Sequence, residues 1–154
     1  MDWGNKIKDK MKHVEEIMKN LGDKLGYCKV EDMKRPHEQP TKLPSGHSAI
    51  YIFIYKDEIL KIGKANSNSN ARFTSQHYGL NSKSTLAKSL LNDEDFNPLI
   101  IENIKGINKY SLKSWICNNL QRINIYLEPD KAKTELIEAI LHYEFRPRFE
   151  GNIH

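Results

Sequence analysis

The sequence predicts an α+β fold: a small central three-stranded antiparallel sheet flanked by helices. Three observations carry that expectation. The runs SAIYIFIY (48–55) and EILKIGKA (58–65) are rich in Ile and Tyr and are joined by a short polar turn, Lys56-Asp57-Glu58, as in an antiparallel hairpin. The run RINIYL (122–127) alternates, with Ile123, Ile125 and Leu127 on one face, which predicts a third strand. The stretches on either side place apolar residues at spacings of three and four, the period of amphipathic helices.

In chain order, Trp3, Ile7, Met11, Val14, Ile17, Met18 and Leu21 form a helical stripe that Gly22 and Gly26 end. Residues 31–44 carry Pro36, Pro40 and Pro44 among charges and predict an extended connector. The expected organisation is therefore an N-terminal helix and connector over 1–44 and a main domain over 45–154. After the hairpin, residues 66–70 are a polar loop, and Asn70 or Ser69 caps a helix from Ala71 that carries Arg72, Phe73, Gln76 and His77. A helical insertion is expected around 81–120. It includes a helix over 84–91 capped by Ser82 or Ser84, a short strand or surface loop over 99–104, and a helix over 110–120. Asp130 opens a last helix through Leu136, Ile137, Ile140, Leu141 and Phe145, which Pro147 terminates.

A chain of 154 residues suits one ordinary core. With 38% hydrophobic and 29% charged residues it reads as globular, not disordered. No apolar run approaches the roughly 20 residues of a membrane span, so no membrane partner is expected. The opening MDWGNKIKDKMKHVEE is too charged for a secretory core, and a cytoplasmic location is expected. Cys28 and Cys117 are expected to be free thiols, and no Cys/His spacing suggests zinc. The net charge of +4 permits a polyanionic partner without requiring one.

The chemistry concentrates in residues 49–72, AIYIFIYKDEILKIGKANSNSNAR. The hairpin and the turn after it bring together Tyr51, Lys61 and Arg72. These are a phenol that can move a proton, an ammonium, and a guanidinium fork suited to phosphate. The ordered set resembles the GIY-YIG nuclease superfamily over residues 48–152. Ala49-Ile50-Tyr51 corresponds to its first motif, with Ala for the usual Gly. Lys61-Ile62-Gly63 corresponds to the second, with Lys for the usual Tyr, as in some restriction endonucleases of the superfamily. Arg72 falls at the helix arginine, Glu138 in ELIEAILHYEFRP at the metal-binding glutamate, and Asn152 at the terminal asparagine. Glu135 and Glu144 are rivals, but apolar residues bracket Glu138 and its spacing to Asn152 fits. Members often carry Tyr or His four residues after the arginine. Here that place is Gln76, and His77 follows it as the candidate.

The resemblance implies metal-dependent DNA cleavage with one Mg²⁺ or Mn²⁺ held by Glu138, and catalytic roles for Tyr51, Lys61, Arg72, His77 and Asn152. A positive Lys61 beside the phenol is expected to lower its pKa. Lys64, Lys88 and Arg122 are candidates for backbone phosphate. A restriction-type or mobile-element or phage nuclease is expected, for which a homodimer would match palindromic sites. Two other readings stay open. One is a catalytically inactive nucleic-acid-binding module on the same scaffold. The other is a partner-binding protein that docks through its N-terminal helix.

Overall fold

The structure, a computed structural model, describes residues 1–81, 85–104, 106 and 109–149. The elements are α1 (Trp3–Asn20), β1 (Cys28–Asp32), β2 (Ser48–Tyr55), β3 (Glu58–Ala65), α2 (Asn70–Thr74), a 3₁₀ turn (Gln76–Tyr78), α3 (Leu86–Asn92), α4 (Phe96–Asn103), α5 (Lys109–Asn119), β4 (Gln121–Leu127) and α6 (Lys131–Phe145). The fold is α+β, with an antiparallel sheet as expected. That sheet has four strands rather than three, in the order β1-β4-β2-β3. The added strand, β1, starts before the segment expected to be a connector and runs into it. It pairs only with β4, Val30 opposite Ile125.

Caps set several helix starts. The Asp2 carboxylate accepts from Asn5 N–H at α1, and Asp130 accepts from Lys133 N–H at α6. Thr85 caps α3 by accepting from Lys88 N–H, whereas the expected caps Ser82 and Ser84 lie outside the described residues. Asn70 is not a cap. Its side-chain oxygen accepts from Leu43 N–H and ties the polar loop to the segment before β2. Residues 99–104, expected to be a short strand or a surface loop, instead mostly form α4. α6 ends where Arg146 turns left-handed at φ 46°, before Pro147.

The sheet is covered on both faces, and the period-2 alternation of β2 divides the core. Ile50, Ile52 and Ile54 face α1 and α6, against Trp3, Ile7, Met11, Val14, Ile137 and Leu141. Tyr51 and Phe53 face the other side, against Phe73, Tyr78, Leu86, Leu90, Trp115 and Ile116. The N-terminal helix is thus part of this core, and its Trp3 indole N–H donates to Lys56 O in the hairpin turn, 3.0 Å. The outer edge of β3 is partly capped by the chain after α6: Arg148 N–H donates to Ile59 O and Phe149 N–H to Leu60 O. Arg148 fastens that segment through ion pairs with Asp93, Asp95 and Glu58. Among the described residues no helix is long and apolar enough to cross a membrane.

Candidate functional site

The register of the hairpin places the first site residues. Ile54 pairs with Ile59 but Phe53 pairs with Lys61, so Leu60 is an extra residue, a β-bulge. Without it Lys61 would stand opposite Ile52 and share the α1/α6 side of the sheet. With it, Lys61 lies opposite Phe53 and Gly63 opposite Tyr51, on the face that carries the phenol. The Tyr51 ring crosses directly over Gly63. A Cβ at Gly63 would collide with the Tyr51 hydroxyl and lie 2.5 Å from Cζ and 2.6 Å from Cε2. The absence of a side chain at Gly63 is therefore a steric requirement of the Tyr51 ring.

Tyr51 is fully buried, and its hydroxyl is held from two sides. His77 Nε2 lies 2.6 Å away and Arg72 Nε–H donates at 3.4 Å. The histidine tautomer follows from its second partner. Leu86 N–H donates to His77 Nδ1 at 3.2 Å, so the ring proton of a neutral His77 must be on Nε2, and Nε2–H donates to the Tyr51 oxygen. His77 is neutral, because burial first, then Lys61, Arg122 and Arg72, push its pKa down to about 3. The phenol oxygen thus accepts from two donors, and its own proton is left to point elsewhere. Both donors favour a phenolate once that proton leaves.

Burial dominates the electrostatics of the other two groups. It holds the Tyr51 phenol above the ordinary tyrosine range, and the Arg72 and Arg122 charges oppose it only in part. The expectation of a lowered phenol pKa is therefore reversed in this structure, because desolvation outweighs the neighbouring cations. Lys61 is 6% exposed. Burial, with Arg72 next, lowers its pKa, and Glu138 works against them. It is an ammonium that gives up its proton more readily than a surface lysine.

Glu138 projects from α6, and its charge reaches both Tyr51 and Lys61. Its Oε2 accepts from Lys64 Nζ at 2.6 Å, and its Oε1 lies 3.9 Å from His142 Nε2. The rival glutamates are elsewhere. Glu135 is exposed and Glu144 pairs with Lys10 of α1. Tyr51, Lys61, Arg72, His77 and Glu138 are thus gathered from five elements, with Lys64 beside them. Asn152 lies outside the described residues. Lys88 is half-buried on α3, and none of the described side-chain contacts joins it to this cluster.

Arg122, expected to contact phosphate, is fully buried and unavailable to it. It donates to Asn124 Oδ1, the Tyr78 hydroxyl and Phe73 O at 2.7–3.0 Å. Its guanidinium lies 5.5 Å from the Tyr51 ring centroid and 4.8 Å from that of Phe73. Asn124 and Tyr126 in turn donate to Glu31 of β1. Sequence reasoning missed this floor under the tyrosine. The signal was present in the polar positions Arg122, Asn124 and Tyr126, which alternate with the isoleucines of a strand that is covered on both faces.

Among the described residues no three His, Cys, Asp or Glu side chains gather as a metal cluster. The donor set fits a single hard cation of the kind that keeps most of its waters. Glu138 offers one carboxylate with 17% exposure, and the remaining positions would fall to water and phosphate oxygen. No family model, curated protein or solved structure matches this chain.

Proposed function

We propose that this chain is a GIY-YIG-type endonuclease that hydrolyses DNA phosphodiester bonds with one Mg²⁺ or Mn²⁺. The observation that carries the reading is the convergence of Arg72 and a tautomer-fixed His77 on the Tyr51 phenol oxygen, with Lys61 on the same face of the sheet and the Glu138 carboxylate within electrostatic reach of both Tyr51 and Lys61. Tyr51 orients the attacking water. Lys61, as the neutral amine that its lowered pKa makes accessible, takes the phenol proton, and the resulting Tyr51 phenolate takes the proton of the water. His77 and Arg72 hold the phenol oxygen and stabilise its anion, and Arg72, the exposed member, also reaches the phosphate to offset charge in the transition state. Glu138 is the ligand for the ion. When bound, the ion supplies polarisation of the scissile phosphate and stabilisation of the leaving 3′ oxygen.

One observation favours a second reading, a binding module without activity on the same scaffold: Tyr51 has no exposed surface. The two readings separate on plasmid and phage DNA incubated with Mg²⁺, Mn²⁺ or EDTA. The nuclease reading expects discrete metal-dependent fragments, and a loss on the order of 10²-fold or more in rate for Tyr51→Phe and for Glu138→Gln. Salt-sensitive DNA binding with no cutting would favour the module, and cutting that survives both substitutions would remove this mechanism.

A further inference from the structure

The Glu138 carboxylate already carries a cation from the chain's own edge strand. Lys64 Nζ lies 2.6 Å from Oε2, with the two side chains 28% and 17% exposed. The backbone on both sides is fixed. Lys64 sits next to Gly63, in register with Ile50, and Glu138 sits between Ile137 and Leu141, which are both buried. What can move is the four-carbon stem of the lysine, which ends in a compact, rotatable ammonium. The other oxygen faces His142, whose Nε2–H donates to Ile62 O at 2.9 Å. That bond anchors the ring to β3, which leaves Lys64 as the mobile partner. An ammonium and a divalent ion repel at one half-buried carboxylate oxygen, so the two exclude each other.

We propose that Lys64 is a displaceable internal cation: it occupies Glu138 in the free protein, swings to a phosphodiester phosphate when nucleic acid docks, and frees Oε2 for the divalent ion. This deepens the nuclease reading and rests on it. The consequence is linkage. Nucleic acid tightens metal binding, and metal tightens nucleic-acid binding by the same factor. The free protein would stay nearly empty of metal, and the site would complete itself on its substrate.

The test measures Mn²⁺ binding from the free aqua-ion EPR signal, with no turnover involved. Wild type, Lys64→Met and Glu138→Gln are titrated alone and with a short phosphorothioate duplex, and circular dichroism confirms folding. Lys64→Met is expected to bind Mn²⁺ about tenfold tighter than wild type in the absence of DNA. The duplex should tighten wild type by a similar factor and Lys64→Met hardly at all. The variant should also lower the salt slope of DNA binding by about one, the loss of one phosphate contact. If Lys64→Met binds Mn²⁺ no tighter while Glu138→Gln abolishes binding, the displacement idea is overturned and the metal site stands. If Glu138→Gln leaves Mn²⁺ binding unchanged, the metal site falls and the displacement idea with it.

Discussion

Gly63→Ala tests the site through a single methyl group. The new Cβ would lie 2.5 Å from Tyr51 Cζ and 2.6 Å from Cε2, about 1 Å inside ordinary contact. The ring cannot slide without disturbing its neighbours. It is fully buried, its hydroxyl is bonded to His77 and Arg72, and the Arg122 guanidinium lies against its face. Overpacking of this kind costs about 1–3 kcal/mol. Weakening the His77 bond adds about 1 kcal/mol. The expected total is about 2–4 kcal/mol, a large share of the roughly 5–15 kcal/mol that holds a domain together. Urea denaturation measures it as a lower midpoint with an unchanged slope. The comparator is Gly79→Ala, where nothing lies within 4 Å of the new Cβ and the backbone is extended. That change should shift stability by no more than about 1 kcal/mol in either direction. On the proposed nuclease reading, Gly63→Ala should also lose about 10²-fold in cleavage rate, because the hydroxyl is displaced by about 1 Å. A Gly63→Ala protein as stable as wild type would refute the claim that Gly63 is needed to admit the Tyr51 ring.

Two further predictions concern the floor of the site and its pH behaviour. Arg122→Met removes a buried charge and leaves the Tyr78 hydroxyl, Asn124 and Phe73 O without their donor, so it should cost about 3 kcal/mol or more in urea denaturation; a loss under about 1 kcal/mol would show the network to be dispensable. His77 has a folded-state pKa of about 3 against about 6.5 when unfolded, so between those values the unfolded chain binds a proton that the folded chain refuses. Stability should therefore fall as pH drops from about 6.5 towards 3, by up to about 1.4 kcal/mol per pH unit, and burial of His37 acts in the same direction. Urea midpoints at a series of pH values check this. His77→Gln should flatten the slope, and an unchanged slope in that variant would show that His77 titrates normally.

The elements with long periodic patterns were legible. The α1 stripe, the hairpin, the alternation of β4 and the spacing of three and four in α6 belong to elements that pack at least one face on the core, so burial prints its period on the sequence, although Ile17, Leu21 and Leu136 of those stripes stay exposed. β1 was not legible. Its five residues, Cys28–Asp32, carry one central valine and pair on one side only, so neither length nor alternation marks them. In α4 the contiguous Leu99, Ile100 and Ile101 fit either period, and Pro98 is tolerated because it lies in the first helical turn.

By itself the sequence determined the residue types of the site and the hairpin that carries Tyr51 and Lys61, because both follow from local patterns within a few residues. The tertiary structure decided what those residues meet. The extra residue Leu60 turns Lys61 and Gly63 to the face of the phenol. The Leu86 amide, nine residues on from His77, selects its tautomer. The second covered face of the sheet takes Arg122 out of reach of phosphate and sets it under the tyrosine. α6, docked on β2 and β3, sets Glu138 beside Lys64, leaves Glu135 exposed and turns Glu144 to Lys10. Register, burial and pairing across 74 residues of chain are non-local quantities. They are set by which faces pack together, and a local period carries no record of that.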